Sequence, residues 1–285
     1  METAVVTGTS TGIGFATSLR LARHGYRVFA GMRNLAKAGP LRAAAAEAEL
    51  PITVIPLDVT STESIRQAFA ECGPIDVLVN NAGVGGASPL ELTPEEEHRQ
   101  MFETNYFGAI RCIQAVLPSM RERGRGVIVN ITSVAGLIAT PNQIAYSASK
   151  WALECAGEAL AHEVRRFGVR VVNIEPGVVM TAIFENSAAA TRYDKTSPYQ
   201  PLMRRNGKLF SAGFRDPAQP DAVAEAIVAA ITSKEYRLRW PVGKDADGLS
   251  RGRAKISDES WVAMGDDLPD EEYNRRFFEY FGIRL

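Results

Sequence analysis

The stretch from Thr3 to His24 limits the fold more than any other part of the chain. Thr3 to Thr7 (T-A-V-V-T) is a short apolar, β-branched run, the pattern of a buried strand. It passes into Gly8-Thr9-Ser10-Thr11-Gly12-Ile13-Gly14 and then into a helical stretch ending near His24. A strand, a glycine-rich turn and a helix in that order build a phosphate cradle. Glycine lets the backbone come close to a pyrophosphate, and the helix N-terminus supplies N–H donors and positive potential. The spacing is G-x-x-x-G-x-G, unlike the G-x-G-x-x-G of the usual dinucleotide fingerprint. A glycine-rich turn alone is only a turn. Its place directly after the first strand makes nucleotide binding the better reading.

Further strands and helices alternate along the chain. Arg27 to Met32 reads as the second strand, Ala43 to Leu50 as an alanine-rich helix, and Thr53 to Val59 as the third strand. Met32 and Arg33 stand where a doubly wound sheet meets the adenosine ribose, and no acid follows closely. A carboxylate there selects NAD; a guanidinium suits a 2′-phosphate. NADP(H) is therefore favoured over NAD(H), with a solvated loop arginine as the plainer alternative. Asp58 falls at the carboxyl end of the third strand, where it either accepts from an adenine amino group or caps the helix beginning near Thr62. Val77 to Val79 leads into Asn80-Asn81-Ala82-Gly83, whose small residues leave room for a cofactor and whose amides can tie strands together. A helix from Pro94 runs through Asn105 towards Met120, and Asn105 is either a surface residue or a holder of water.

Gly126 to Ile131 is a strongly apolar strand that delivers Thr132 and Ser133 to the same sheet edge. Ser133 is a candidate donor to a substrate carbonyl and equally an ordinary turn serine. Tyr146-Ser147-Ala148-Ser149-Lys150 puts a phenol and an ammonium on one helix face. A fixed cation lowers a tyrosine pKa from about 10 towards a range useful for proton transfer. The same spacing also arises on any amphipathic helix with a surface tyrosine beside a solvated lysine. Val169 to Ile174 is a further strand, followed by a Pro176-Gly177 turn that leads through Val179 to Thr181.

Residues 182–215 read as an irregular lid carrying Phe184, Tyr193, Tyr199, Met203, Phe210 and Phe214. Those side chains fit a bulky apolar substrate or ordinary packing. The interleaved Arg192, Arg204, Arg205 and Lys208 read as a solvated face. A helix from Asp221 and a strand from Arg237 to Val242 follow, and then a tail over 244–285 with a short helix expected at Tyr273 to Phe281.

Composition narrows the partners. A net charge of −1 gives no reason to expect nucleic acid or a membrane surface, and no apolar run reaches spanning length. Cys72, Cys112 and Cys155 form no CxxC pair and suit a reducing compartment, so a cytoplasmic location is expected. His24, His98 and His162 lie far apart, and no metal is expected. No repeat or linker marks a second domain, so residues 1–285 are read as one unit.

Taken together, Gly8-x-x-x-Gly12-Ile13-Gly14, Asn80-Asn81-Ala82-Gly83, Asn105, Ser133 and Tyr146-x-x-x-Lys150 resemble the short-chain dehydrogenase/reductase family over about Thr3 to Val242. That resemblance implies an α/β fold: a single Rossmann-type three-layer domain with a seven-stranded parallel sheet in the order 3-2-1-4-5-6-7. It implies that Tyr146 is the general acid/base, that Ser133 polarises the substrate oxygen, and that Asn105 positions a proton-relay water. Lys150 would hold the nicotinamide ribose and lower the tyrosine pKa. Gly8, Ser10, Thr11, Gly12, Ile13 and Gly14 would form the phosphate loop, and Asp58 and Val59 would contact adenine. Asn81, Ala82 and Gly83 would line the cleft, and Pro176, Gly177, Val179 and Thr181 would border the nicotinamide.

The stretches V-F-A-G-M-R-N-L and L-R-W-P-V-G look like the 17β-hydroxysteroid and retinol dehydrogenase subgroup. This implies a small-molecule alcohol or ketone of steroid-like or retinoid-like type, and by analogy a homodimer or homotetramer. Two other classes compete. A catalytically silent dinucleotide sensor would be expected to lack Tyr146 or Lys150, and a non-redox enzyme on the same fold would be expected to have a broken glycine turn. The chain keeps both features.

Overall fold

Seven strands form one sheet: β1 (Thr3–Thr7), β2 (Arg27–Met32), β3 (Ile52–Pro56), β4 (Val77–Asn80), β5 (Gly126–Ile131), β6 (Val169–Pro176) and β7 (Arg239–Val242). Their order is β3-β2-β1-β4-β5-β6-β7, and every pair is parallel. The structure is a computed structural model that describes residues 1–183, 187 and 190–285.

Alternate residues of each strand feed two different cores, as a period of two requires. Val6, Val79, Val129 and Val172 face one side and pack with α1 (Gly12–Arg23) and a helix at Pro220–Thr232. Val5, Leu78, Ile128 and Val171 face the other, against α3 (Thr62–Cys72), α5 (Gly108–Arg123) and the end of α6 (Ile144–Val164). The strand order reverses between β1 and β4, so a crevice opens beyond their carboxyl ends, where open parallel sheets bind ligands.

Several boundaries differ from the sequence reading. The alanine-rich helix, α2, is Gly39–Glu47, earlier than expected, because Pro40 starts it within its first turn. β3 stops at Pro56, so Asp58 and Val59 stand beyond the strand. The long helix expected through Asn105 is interrupted: α4 (Glu95–Phe102) and α5 flank a π-helical turn over Glu103–Phe107. Such a turn often marks a functional site.

The segment read as irregular contains a full helix, α7 (Gln200–Arg215), started by a proline in its first turn. After α8 (Pro220–Thr232) and β7, the tail forms α9 (Lys244–Arg253), α10 (Asp258–Val262) and α11 (Asp270–Phe281). Tyr273, Phe277 and Phe281 are buried, while Phe278 is exposed. They build a third core with Leu249, Met264, Val134 and Ile138. The tail thus packs on the loop that follows β5. Among the described residues no helix is long and apolar enough to cross a membrane.

Candidate active site

The glycine turn is shaped by its neighbours. Gly12 has φ +59°, and a Cβ there would stand 2.9 Å from Thr181 Cγ2. A side chain on Gly14 would run into the Gly8 carbonyl. Thr11 precedes α1 without a side-chain cap, so the first N–H groups of that helix are left for a ligand. Asn81 Nδ2 donates to the carbonyls of Thr7 (2.8 Å) and Gly8 (2.9 Å), and Thr7 Oγ1 accepts from the amides of Asn81 (3.0 Å) and Ala82 (2.9 Å). The amide of Asn81 therefore ties β4 to the turn. The residues present fit a pyrophosphate: a close-approach turn, uncapped donors and no side chain in the way.

At the outer end of the same cavity stand Arg33, Asn34, Lys37, Asp58 and Val59. Asp58 Oδ1 accepts from the backbone N–H (3.0 Å) and the hydroxyl (2.8 Å) of Thr60. The cap of α3 is Ser61, whose Oγ accepts from the Ser64 amide, so the capping alternative for Asp58 does not hold.

Ser133 lies two residues beyond β5, in an extended conformation at the start of the Val134–Gly136 turn. Its Oγ accepts from the Ala135 amide at 3.1 Å and donates to the Pro176 carbonyl at 3.4 Å. It also bears on the Tyr146 phenol, which lies in the first turn of α6. Lys150, one turn on, is buried; its Nζ donates to the Ile131 carbonyl at 2.9 Å and lies 5.9 Å from the Tyr146 ring centroid.

The electrostatics correct the sequence expectation. Burial pushes the Tyr146 phenol up from its ordinary value, with the bond to Ser133 pulling the other way. Burial also drives the Lys150 ammonium down to about 8, and the charge of Glu154 opposes that fall. Desolvation sets both signs, because phenolate and ammonium both lose water in the same enclosed place.

Asn105 is buried in the π turn, which settles against a surface position. Its Nδ2 donates to the Val84 carbonyl (3.0 Å) and Ser149 Oγ (2.9 Å), and its Oδ1 accepts from the Val84 amide (2.8 Å). Ser149 Oγ in turn donates to the Tyr146 carbonyl at 2.7 Å. Through these bonds the Asn105 amide braces the start of α6.

A cavity of about 890 Å³ joins these parts. Of the site residues read from the sequence, Gly14 and Asn105 lie behind its wall, and all the others line it. Met203, Phe210 and Phe214 also line it, as does Tyr193, whereas Tyr199 bonds to Glu91 outside. Phe184 lies outside the described residues.

The basic residues keep part of the solvated face, since Arg204 is exposed and Arg192 and Lys208 are half-buried, but each of these is ion-paired. Arg192 pairs with Glu97, and Arg204 and Lys208 pair with Asp270, each at 2.9 Å. Arg205 is buried; it donates to the Met264, Asp266 and Leu268 carbonyls and covers the Tyr273 ring at 4.3 Å. The tail recruits Arg204, Arg205 and Lys208 to hold α7.

Sequence reasoning missed Lys37, Asn206 and Asp245. Asp245 Oδ2 accepts from the Val178 amide at 2.6 Å, so the first turn of α9 holds the Pro176–Val179 loop. No local spacing announces a contact across 67 residues. Among the described residues no cluster suits a metal ion, and burial pushes the Cys72 and Cys112 thiols up to about 12.

The sheet order, the glycine turn and the Ser133–Tyr146–Lys150 grouping define an oxidoreductase site on a dinucleotide fold, and the profile described as short chain dehydrogenase matches residues 2–192. The chain belongs to the short-chain dehydrogenase family. It is 44% identical over 251 residues to retinol dehydrogenase 8 of Bos taurus, covering 84% of this chain and 80% of that protein. A short-chain dehydrogenase structure from Streptomyces avermitilis superposes with a TM-score of 0.79 at 35% identity, covering 93% of this chain and 98% of the other. An alcohol dehydrogenase from Thermococcus sibiricus, solved with 5-hydroxy-NADP, gives 0.70 at 26% identity over 85% and 96% of the two chains. The family is one of oxidoreductases, and a nicotinamide dinucleotide is the cofactor that the cleft fits.

Proposed function

We propose that the protein interconverts a secondary alcohol and a ketone or aldehyde with NADP(H), on a bulky apolar substrate of steroid-like or retinoid-like type. One observation carries the reading. Ser133, Tyr146 and Lys150 open into the same cavity as the glycine turn, facing a wall that includes Ile138, Met203, Leu209, Phe210, Phe214 and Leu249. A wall of that kind suits a large apolar substrate with few polar groups. The likeness to bovine retinol dehydrogenase 8 supports the same substrate class.

A bound nicotinamide supplies or accepts the hydride. The chain's own groups do the rest. Ser133 Oγ donates to the substrate oxygen and orients it, while Tyr146 passes the proton to that oxygen or takes it back. Lys150, held on the Ile131 carbonyl, places its charge beside the phenol and within reach of a ribose. Asn105 acts at one remove by fixing the first turn of α6. Removing the phenol is expected to lower turnover by about 10²–10⁴-fold, the usual loss for a general acid.

Preference for NADP(H) rests on Arg33 and Lys37, two cations at the adenosine end of the cavity, where a 2′-phosphate would sit. Residues 182–215 serve as the lid and 244–285 as the tail that carries it, within one domain. Exposed Phe107, Ile144 and Trp151, around the π turn and on α6, support pairing into a homodimer or homotetramer.

The test is consumption of NADPH and of NADH against a panel of bulky apolar and small polar ketones, with Tyr146→Phe alongside. Faster turnover of bulky ketones with NADPH, lost in the variant, is the expected result. Turnover of small polar ketones alone would remove the substrate class, and no turnover of any kind would leave a nucleotide-binding protein without this chemistry.

A further inference from the structure

Behind Lys150 lies a line of buried polar side chains that the proposed chemistry does not use. Asn80, Asn130, Asn173 and Arg239 occupy one row across β4, β5, β6 and β7. Asn80 Nδ2 donates to Asn130 Oδ1 at 3.0 Å, and Asn130 Nδ2 to Asn173 Oδ1 at 3.2 Å. The row ends on α6, where Asn173 Nδ2 donates to Glu154 Oε2 at 2.8 Å. Glu154 is one helical turn beyond Lys150, on the same face.

A second carboxyl joins it. Glu175 follows Asn173 by two residues on β6, so both side chains leave the same face of the sheet. Glu154 and Glu175 are only 3% and 1% exposed. Arg239 Nε lies 3.2 Å from Glu154 Oε2 and 3.5 Å from Glu175 Oε1, while another of its nitrogens pairs with Glu158 at the surface. Glu154 Oε1 and both Glu175 oxygens have no other partner among the described residues. The two carboxyls lie against each other, so a proton between them satisfies what is left.

The packing is built for this approach. A Cβ on Gly136 would stand 2.9 Å from Glu154 Cγ and 3.0 Å from the Lys150 carbonyl. A side chain on Gly157 would run into the Asn173 amide. Two glycines thus let the loop after β5 and strand β6 close on this one turn of α6.

We propose that Glu154 and Glu175 act as one buried carboxyl pair, the counter-charge that keeps Lys150 an ammonium. They are positioning residues, acting through Lys150. An ammonium buried without a partner gives up its proton. The groups facing the pair are Lys150 and Glu158 from α6, Arg239 from β7 and Arg237 just before it. The turn Val134–Gly136 adds no charge.

The sign follows from the same contacts. Burial takes Lys150 down to about 8, and the charge of Glu154 is what opposes it. Removing that charge carries Lys150 lower still. Burial, then the charge of Glu154, pushes Glu175 up to about 8, so Glu175 keeps its proton at neutral pH and becomes charged above it.

The experiment reads the titration of Lys150 directly, from the ¹³Cε shift of lysine-labelled full-length protein, assigned with Lys150→Arg. It needs no substrate. In Glu154→Gln the Lys150 midpoint is expected to fall by about one pH unit, and Glu154→Asp should restore most of it. Glu175→Gln, isosteric with the protonated acid, should lower the midpoint by a smaller step. The alkaline loss of turnover should move with the midpoint in each variant. A wild-type midpoint in Glu154→Gln overturns the assignment, however much turnover has fallen. Should that protein not fold, Glu175→Gln gives the same decision: a lower midpoint supports the pair, and an unmoved one overturns it.

Discussion

The nucleotide side and the substrate side of the cavity are made by different means. On the nucleotide side the surface is the glycine turn and the strand ends beside it. Gly12 approaches Thr181, Asn81 holds the carbonyls of Thr7 and Gly8, and Thr9 bonds to the Gly31 carbonyl. The Asn81 and Thr9 contacts join neighbouring strand ends, so the sheet order alone brings them together, and Thr181 comes in from beyond β6. On the substrate side the wall is side chains from α7, backed by α9 to α11. Trp261 Nε1 donates to the Ala139 carbonyl at 3.0 Å, across 122 residues, and Asp245 reaches the Val178 amide. A cradle fixed by backbone tolerates little change. A wall borrowed from a separately packed tail can change without disturbing the cradle.

Three variants press on that separation. Phe277→Ala, at the centre of the tail core, carries the largest expected effect: about 3–5 kcal/mol of stability, read from urea unfolding. In the folded fraction it should raise KM for a bulky ketone while the Kd for NADPH stays near wild type. Equal damage to both would show that the two sides are one unit.

Gly12→Ala should do the reverse. A side chain at φ +59° carries about 1–2 kcal/mol of strain, and this one also meets Thr181. NADPH affinity should fall roughly tenfold or more, while KM for the ketone at saturating nucleotide holds. Arg33→Ala is the most selective. Losing one charge-assisted contact of about 1.5–3 kcal/mol should cut NADPH affinity about tenfold or more and leave NADH affinity unchanged. A matching loss for NADH would mean that Arg33 serves the site without reading a 2′-phosphate.

The same division explains what the sequence made legible. β1, the glycine turn and α1 are contiguous, so their residues announced the cradle with no knowledge of the rest. Ser133 and Tyr146 were found because one short loop joins a strand end to a helix start. Residues 200–215 read as irregular because nothing nearby in the chain shows what Arg204, Arg205 and Lys208 hold. Their partners Asp270, Met264 and Leu268 lie some 60 residues on. Glu154 sat unnoticed four residues after Lys150, since only the sheet row from Asn80 to Arg239 gives it a role. The direction of the Tyr146 shift went wrong for a related reason. Spacing reveals a neighbouring cation, but burial, the larger influence here, depends on the whole fold.

The most direct test follows the hydride itself. NADPH carrying deuterium at C4 on the transferred face would be incubated with a bulky ketone that the enzyme reduces, and the alcohol analysed by mass spectrometry. Wild-type protein should place one deuterium on the carbinol carbon, and Tyr146→Phe should yield about 10²–10⁴-fold less product in the same time. Alcohol formed without the label, or formed as fast without the phenol, would contradict hydride transfer assisted by Tyr146.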